Sequence, residues 1–151
     1  DPESLIATFA HEFAHYLAHS VEAKPPGGEE FEELATDVLA VVTGFGLFIA
    51  NSAFKFRQYQ SAGTQGWSVR HQGYLGRHEA IYALGIFCLL KSIPGRKVEP
   101  HLQSSLVPTF RKAWREIDGS AALARLRDID VRKNPGGIRK LPMVASELET
   151  S

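Results

Sequence analysis

The chain has 151 residues, 17 basic and 17 acidic side chains, six histidines, one cysteine and a hydrophobic fraction of 44%. This is the composition of one ordinary globular domain. It excludes an internal disulfide, a strongly basic nucleic-acid binder and an acidic disordered tail as descriptions of the whole chain. The net charge of zero results from an uneven distribution, because residues 1–50 carry a net charge of −8 and residues 51–151 a net charge of +8.

A first helix is predicted from Pro2 to about Ser20, where apolar side chains recur at helical spacing. Asp1 suits its N-cap, and a proline is favourable in the first turn. Phe9 and Phe13, with small alanines between and around them, indicate a buried, closely packed helix. Because the chain begins close to its most informative motif, we expect it to be a fragment that lacks an upstream segment.

A second helix is predicted from about Glu29, in an acidic cluster that suits the positive end of a helix dipole, to roughly Phe54. Gly44 and Gly46 either bend this helix or let another backbone pack closely. Its apolar stretch Val38–Ala50 is shorter than the roughly 18 residues of a spanning helix. We therefore expect a core helix, no membrane span and, since no signal peptide is visible, a cytoplasmic protein.

The second half of the chain is predicted to be mostly helical. Residues 56–73 are expected to form either a short β-hairpin or an irregular loop. Cys88 lies in an apolar run, so we expect it in the core. Three further helices are predicted, over Arg77–Ile93 with a stop at Pro94-Gly95, from about His101 or Val107 to Ile117, and over Ala121–Asp128.

An H-E-x-x-H motif occupies residues 11–15 of the first helix. Residues four apart share a helix face, so His11 and His15 can reach one ion at the Zn–N distance of about 2.0–2.1 Å. Glu12 then lies beside the ion, where it can take a proton from water whose pKa zinc lowers to about 7. His19 continues the spacing, but it lies about 12 Å along the axis from His11, too far to share the ion.

A tetrahedral catalytic zinc needs three protein ligands and one open position. The second helix offers Glu33 and Asp37, which are four residues apart and therefore on one face. We prefer Glu33 as the third ligand and keep Asp37 as the alternative. Glu29, Glu30 and Glu32 are further alternatives, since a shift of one helical turn could bring one of them into place.

The H-E-x-x-H motif followed on the next helix by E-x-x-x-D resembles the gluzincin branch of the zinc metallopeptidases, which includes the thermolysin-like enzymes. The resemblance implies that His11, His15 and Glu33 bind one Zn²⁺, that Glu12 is the general base, and that Asp37 orients the first histidine.

The matching motifs span about a quarter of the chain, residues 11–37. The fold that the resemblance implies is mainly α, a compact zincin-like helical domain over residues 1–151 with at most a short β-hairpin. The implied activity is hydrolysis of peptide bonds in a peptide or protein substrate.

A zinc hydrolase also needs a donor that stabilises the oxyanion formed at the substrate carbonyl. The resemblance implies a downstream histidine, tyrosine or arginine in this role. His71 and Tyr74 are the preferred candidates, and Arg77 and His78 are alternatives.

Two other functions fit the sequence less well. The first is a catalytically inactive zincin-like binding or regulatory module, with a structural zinc or none. The second is nucleic-acid binding, which rests only on the basic half. Its basic residues are dispersed, and its two aromatic residues, Phe110 and Trp114, suit the core. We therefore expect no nucleic-acid partner, and the sequence leaves the oligomeric state open.

Overall fold

The computed structural model describes residues 1–21, 24–25, 27–53 and 75–130, and 77% of these residues are helical. The prediction of a mainly α fold is confirmed, and the described ranges contain no β-strand. The hairpin or loop predicted over residues 56–73 lies outside the described residues.

Seven α-helical segments are present in the described ranges. Their limits are α1 Pro2–His19, α2 Glu32–Ala40, α3 residues 46–53, α4 Arg77–Leu90, α5 Gly95–Val98, α6 Val107–Ile117 and α7 Ala121–Arg127. A 3₁₀ turn, Glu29–Phe31, leads into α2, and a second, Glu99–His101, follows α5. The π-helical turn Val41–Phe45 joins α2 to α3.

The first helix begins as predicted, but its buried face differs from the predicted one. Asp1 caps α1 by accepting a hydrogen bond from the backbone N–H of Glu3 at 3.2 Å. The side chains that α1 buries are small alanines and His11, whereas Phe9 and Phe13 are 67% and 48% exposed. The expectation that these phenylalanines are buried is wrong, because the face that packs against α2 is lined by alanines, which let the two helices approach closely.

The second predicted helix is a bent run of helical segments. Gly44 has φ = +105°, a conformation that glycine adopts at little cost, and the chain bends there between α2 and α3. Gly46 is buried, and a Cβ atom at this position would lie 3.0 Å from Leu84 Cδ1 on α4. The predicted bend is therefore at Gly44. At Gly46 the nearest atoms belong to the side chains of Leu84 and Val41, and not to another backbone.

The third helix ends three residues before the predicted Ile93. Ser92 has φ = +55°, Ile93 N donates to Cys88 O at 2.8 Å, and Ser92 N donates to Leu89 O at 3.4 Å. These two bonds form a Schellman motif, which ends α4 at Leu90. A short helix, α5, then begins at Gly95, where the sequence pattern predicted only a stop.

The core is centred on α4, which packs against α6, α7 and the π-helical turn, while α1 packs against α2. The predicted core position of Cys88 is confirmed, and burial raises the pKa of its thiol to about 11. The largest fully buried side chains are Phe110, Ile81, Leu106, Leu123, Val41, Thr36 and Cys88.

One helical run in the described ranges, Glu29–Ala53, is long and apolar enough to cross a membrane by length and composition, and an 18-residue window within it has a mean hydropathy of 1.7. The run is longer than the apolar stretch Val38–Ala50, which alone does not meet the length criterion. Core helices of soluble proteins and signal sequences also meet this test.

Candidate metal centre

The two histidines of the H-E-x-x-H motif converge on one carboxylate oxygen from α2. Glu33 Oε2 lies 3.2 Å from His11 Nε2 and 3.4 Å from His15 Nε2. The two imidazole rings stand nearly perpendicular, with centroids 4.6 Å apart. One ligand atom from each of the three residues lies within 4.8 Å of the others, so the group could hold a metal ion.

Asp37 lies on the other side of His11, away from Glu33. Its Oδ1 atom is 2.9 Å from His11 Nδ1, and both side chains are buried. A carboxylate can only accept here, so His11 donates from Nδ1, and Nε2 is its ligand atom for a metal. Asp37 Oδ2 accepts a second hydrogen bond, from Leu75 N at 2.8 Å, which ties the site to the residues just before α4.

His15 has its own neighbour on α2. Its Nδ1 atom lies 3.4 Å from the hydroxyl oxygen of Thr36, a residue that is 1% exposed. The same hydroxyl donates to the backbone oxygen of Glu32 at 2.9 Å. Thr36 is not predicted as a site residue by the two motifs, although its position, three residues after Glu33, places it on the same helix face.

The buried oxygen of Glu33 supplies a test of whether the residues fit a cation. Glu33 Oε2 is buried and accepts no hydrogen bond within the described part of the chain, although two histidine nitrogens are close. A buried carboxylate oxygen is costly without a partner. A metal ion bound between the two Nε2 atoms and Oε2 would remove this cost, so the three residues fit such an ion.

The other acidic candidates lie elsewhere. Glu29 is exposed and pairs with Lys24 at 3.1 Å. Glu30 and Glu32 are exposed or partly exposed and are not in the group around the two histidines. Glu12, the residue after His11, is exposed on α1. The proposed base is thus open to solvent while the histidine before it is buried.

His19 is exposed in the last turn of α1, and its Nδ1 donates to the carbonyl oxygen of His15 at 2.8 Å. It is not in the group of possible metal ligands. This position agrees with the geometric argument that one ion cannot bind all three histidines of the series.

The preferred candidates for the oxyanion donor, His71 and Tyr74, lie outside the described residues. Arg77 and His78, the alternatives, occupy the first turn of α4, where Arg77 is partly buried and His78 is exposed. They follow Leu75, whose backbone N–H is bound by the buried aspartate of the site.

The basic half of the chain contributes exposed arginines to a surface cleft. An open cleft of about 530 Å³ between α5 and α6 is lined in part by Arg96, Arg111 and Arg115, which are exposed. Arg111 donates to Glu99 Oε2 at 2.7 Å, and this hydrogen bond lowers the pKa of the Glu99 carboxyl below its usual value. These side chains are solvated surface groups, as the dispersed pattern predicted.

Comparisons of the chain with protein-family models, with curated proteins and with solved structures found no match.

Proposed function

We propose that this protein is a zinc-dependent metallopeptidase that hydrolyses peptide bonds in a peptide or protein substrate. The observation that carries the proposal is the convergence of His11 Nε2 and His15 Nε2 on Glu33 Oε2, a buried oxygen that accepts no hydrogen bond from the described residues. The resemblance of the two helical motifs to the gluzincins supports the same function.

The distances from each histidine Nε2 to Glu33 Oε2 are those expected for a zinc site. Ligands placed tetrahedrally at about 2.0–2.1 Å from zinc lie about 3.3–3.4 Å from one another. The two distances to Glu33 Oε2 are 3.2 and 3.4 Å. Two imidazoles and one carboxylate are also a donor set typical of catalytic zinc. Because Asp37 bonds the opposite nitrogen of His11, these contacts favour Glu33 over Asp37 as the third ligand.

Each residue has a distinct role in the proposed reaction. Zinc held by His11, His15 and Glu33 would lower the pKa of water to about 7 and polarise the substrate carbonyl. The Glu12 carboxylate would take a proton from the attacking water and deliver it to the amide nitrogen as the C–N bond breaks. We propose His71 or Tyr74 as the donor to the oxyanion, with Arg77 and His78 as alternatives.

Metal analysis of the full chain, purified without chelator, tests the metal site. We expect about one equivalent of zinc in the wild type and its loss in His15→Ala, because a tetrahedral site with two protein ligands binds zinc weakly. His19→Ala is the matched control, since this histidine is on the same helix but exposed and outside the group. Less than about half an equivalent in the wild type would contradict the proposal.

Peptide hydrolysis tests the reaction. We expect Glu12→Gln to keep its zinc and to lose about a hundredfold or more in kcat, because the amide cannot accept the proton. Glu30→Gln, at an exposed glutamate of the acidic segment, should retain activity. Full activity of Glu12→Gln would remove Glu12 from its role. A zinc-loaded wild type that cleaves no member of a broad peptide library would favour the regulatory module instead.

We also propose that the helical run Glu29–Ala53 is a core helix and that the protein acts in the cytoplasm. The run carries the site carboxylates of Glu33 and Asp37, and its buried residues Val41 and Ile49 belong to the core. Fractionation of cells expressing the full chain tests this proposal. We expect the protein in the supernatant after ultracentrifugation, and retention in the membrane pellet after a carbonate wash would contradict it.

A further inference from the structure

The Thr36 hydroxyl lies between the backbone of α2 and the imidazole of His15. Its oxygen is 2.9 Å from the carbonyl oxygen of Glu32 and 3.4 Å from His15 Nδ1, and the side chain is almost completely buried. His15 offers its other nitrogen, Nε2, to Glu33. Thr36 is therefore in contact with His15, the histidine ligand that Asp37 does not contact.

The number of available protons decides the direction of these hydrogen bonds. A threonine hydroxyl has one proton and two lone pairs, and a backbone carbonyl can only accept. The hydroxyl proton therefore goes to Glu32 O, which leaves only lone pairs for the contact with His15. His15 Nδ1 must then be the donor, so the neutral ring carries its proton on Nδ1 and has a bare Nε2.

We propose that Thr36 is a positioning residue, which holds His15 in the tautomer and orientation that zinc binding requires. The inference rests on the proposed metal site, whose ligand His15 it orients. Each histidine ligand would then have one group that fixes its tautomer. For His11 this group is the carboxylate of Asp37, and for His15 it is the hydroxyl of Thr36. Mutation of groups that orient metal-binding histidines in this way typically lowers metal affinity by about 10–100-fold.

A second threonine, Thr43, provides a control for the hydrogen bond that Thr36 makes to the helix backbone. Thr43 donates to the backbone oxygen of Leu39, four residues earlier, as Thr36 does to that of Glu32. Thr43 is exposed, and its hydrogen bonds go to the backbone oxygens of Leu39 and Ala40. Replacement of either hydroxyl removes the same kind of bond to the helix backbone, whereas only Thr36 also loses a contact with His15.

Zinc affinity measured by competition with a chelator tests the proposal. We expect Thr36→Val to weaken zinc binding by about tenfold or more, and Thr36→Ser, which keeps the hydroxyl, to restore affinity close to that of the wild type. Thr43→Val should bind as the wild type does. Equal affinity of Thr36→Val and Thr43→Val would overturn the proposal.

The histidine tautomer, read by nitrogen NMR of the metal-free wild type, gives a test that needs neither zinc nor a valine variant. We expect His15 to carry its proton on Nδ1, and a proton on Nε2 would overturn the inference. If the wild type binds no zinc but His15 is protonated on Nδ1, the proposed function fails while the hydrogen-bond assignment holds. If the wild type binds zinc and Thr36→Val is unaffected, only the role of Thr36 fails.

Discussion

At the scale of single residues, the site consists of two imidazole rings that are each held at one nitrogen and present the other to a shared carboxylate oxygen. Asp37 contacts His11 Nδ1, and the other nitrogen of each histidine lies within 3.4 Å of Glu33 Oε2. Such an arrangement places three possible ligand atoms close together, which favours a cation between them. Mutation of Asp37, which binds His11 and Leu75, therefore tests the stability of the metal-free protein, whereas mutation of Glu33 tests metal binding.

Asp37→Ala is expected to destabilise the metal-free protein by about 1–3 kcal/mol, because it leaves the Nδ1–H of His11 and the N–H of Leu75 without their acceptor. Urea denaturation in the presence of a chelator measures this change in the free energy of unfolding. Asp118→Ala, at an exposed aspartate, is the control. An unchanged midpoint for Asp37→Ala would show that the two bonds contribute little.

Cys88 is expected to resist thiol reagents in the folded protein at about pH 8, because it is buried and holds its proton to a pKa of about 11. One thiol equivalent should react after unfolding, since the chain has one cysteine. The raised pKa also predicts a stability loss between pH 9.0 and about 11, where only the unfolded thiol ionises. Cys88→Ala should lack this part of the pH dependence, and rapid labelling of the native protein would contradict the burial.

At the scale of elements, helix limits depend on local backbone conformations that the hydrophobic pattern does not encode. The apolar pattern continues to Ile93, but α4 ends at Leu90 because Ser92 adopts a left-handed conformation. Glycine is the usual residue at this position of a Schellman motif, so serine gives no signal in the sequence. By contrast, Asp1 before Pro2 is a standard start signal, and α1 begins where it was predicted.

Ser92→Gly is expected to stabilise the protein by about 0.5–1 kcal/mol. A left-handed conformation costs a residue with a Cβ about 1–2 kcal/mol, and glycine avoids this cost. The gain is smaller than the cost because glycine loses more backbone entropy than serine on folding. Thermal unfolding in the presence of a chelator measures the difference. Ser92→Ala keeps the Cβ and should show no gain. A destabilised glycine variant would mean that the serine side chain contributes more than its backbone cost.

At the scale of the whole molecule, the buried and exposed faces do not follow the hydrophobicity of the sequence alone. Phe110 is 1% exposed and lies in the core under α4, whereas Phe9 is 67% exposed on α1. Both residues fit an amphipathic helical pattern. The pattern predicts that one face of a helix is apolar, but which elements cover that face depends on the packing of the other helices.

Phe110→Ala is therefore expected to cost about 3–5 kcal/mol, the typical cost of removing a buried aromatic ring. Phe9→Ala, the matched change at an exposed position, should stay within about 0.5 kcal/mol of the wild type. Denaturant midpoints of the two variants measure the contrast. A large loss for Phe9→Ala would mean that this ring packs against part of the protein.

Zinc at about 100 times its Kd is expected to stabilise the folded chain by about 2.7 kcal/mol, which corresponds to a rise in Tm of about 5–10 °C for a domain of this size. Differential scanning calorimetry with and without zinc measures the shift. Mg²⁺, which prefers oxygen ligands, should give none. Glu33→Gln should reduce the zinc shift, and an equal shift in this variant would exclude Glu33 as a ligand.

The sequence by itself determined the helical class, the start of α1 and the residues that could bind a metal, because these depend on interactions within one helix turn or between residues four apart. Only the tertiary structure decided that Glu33 meets both Nε2 atoms, that Asp37 holds His11, and that Thr36 contacts His15. These contacts join residues 18–26 positions apart, such as His15 and Glu33, or His11 and Asp37. They depend on how closely α1 and α2 pack, which the motif spacing does not contain.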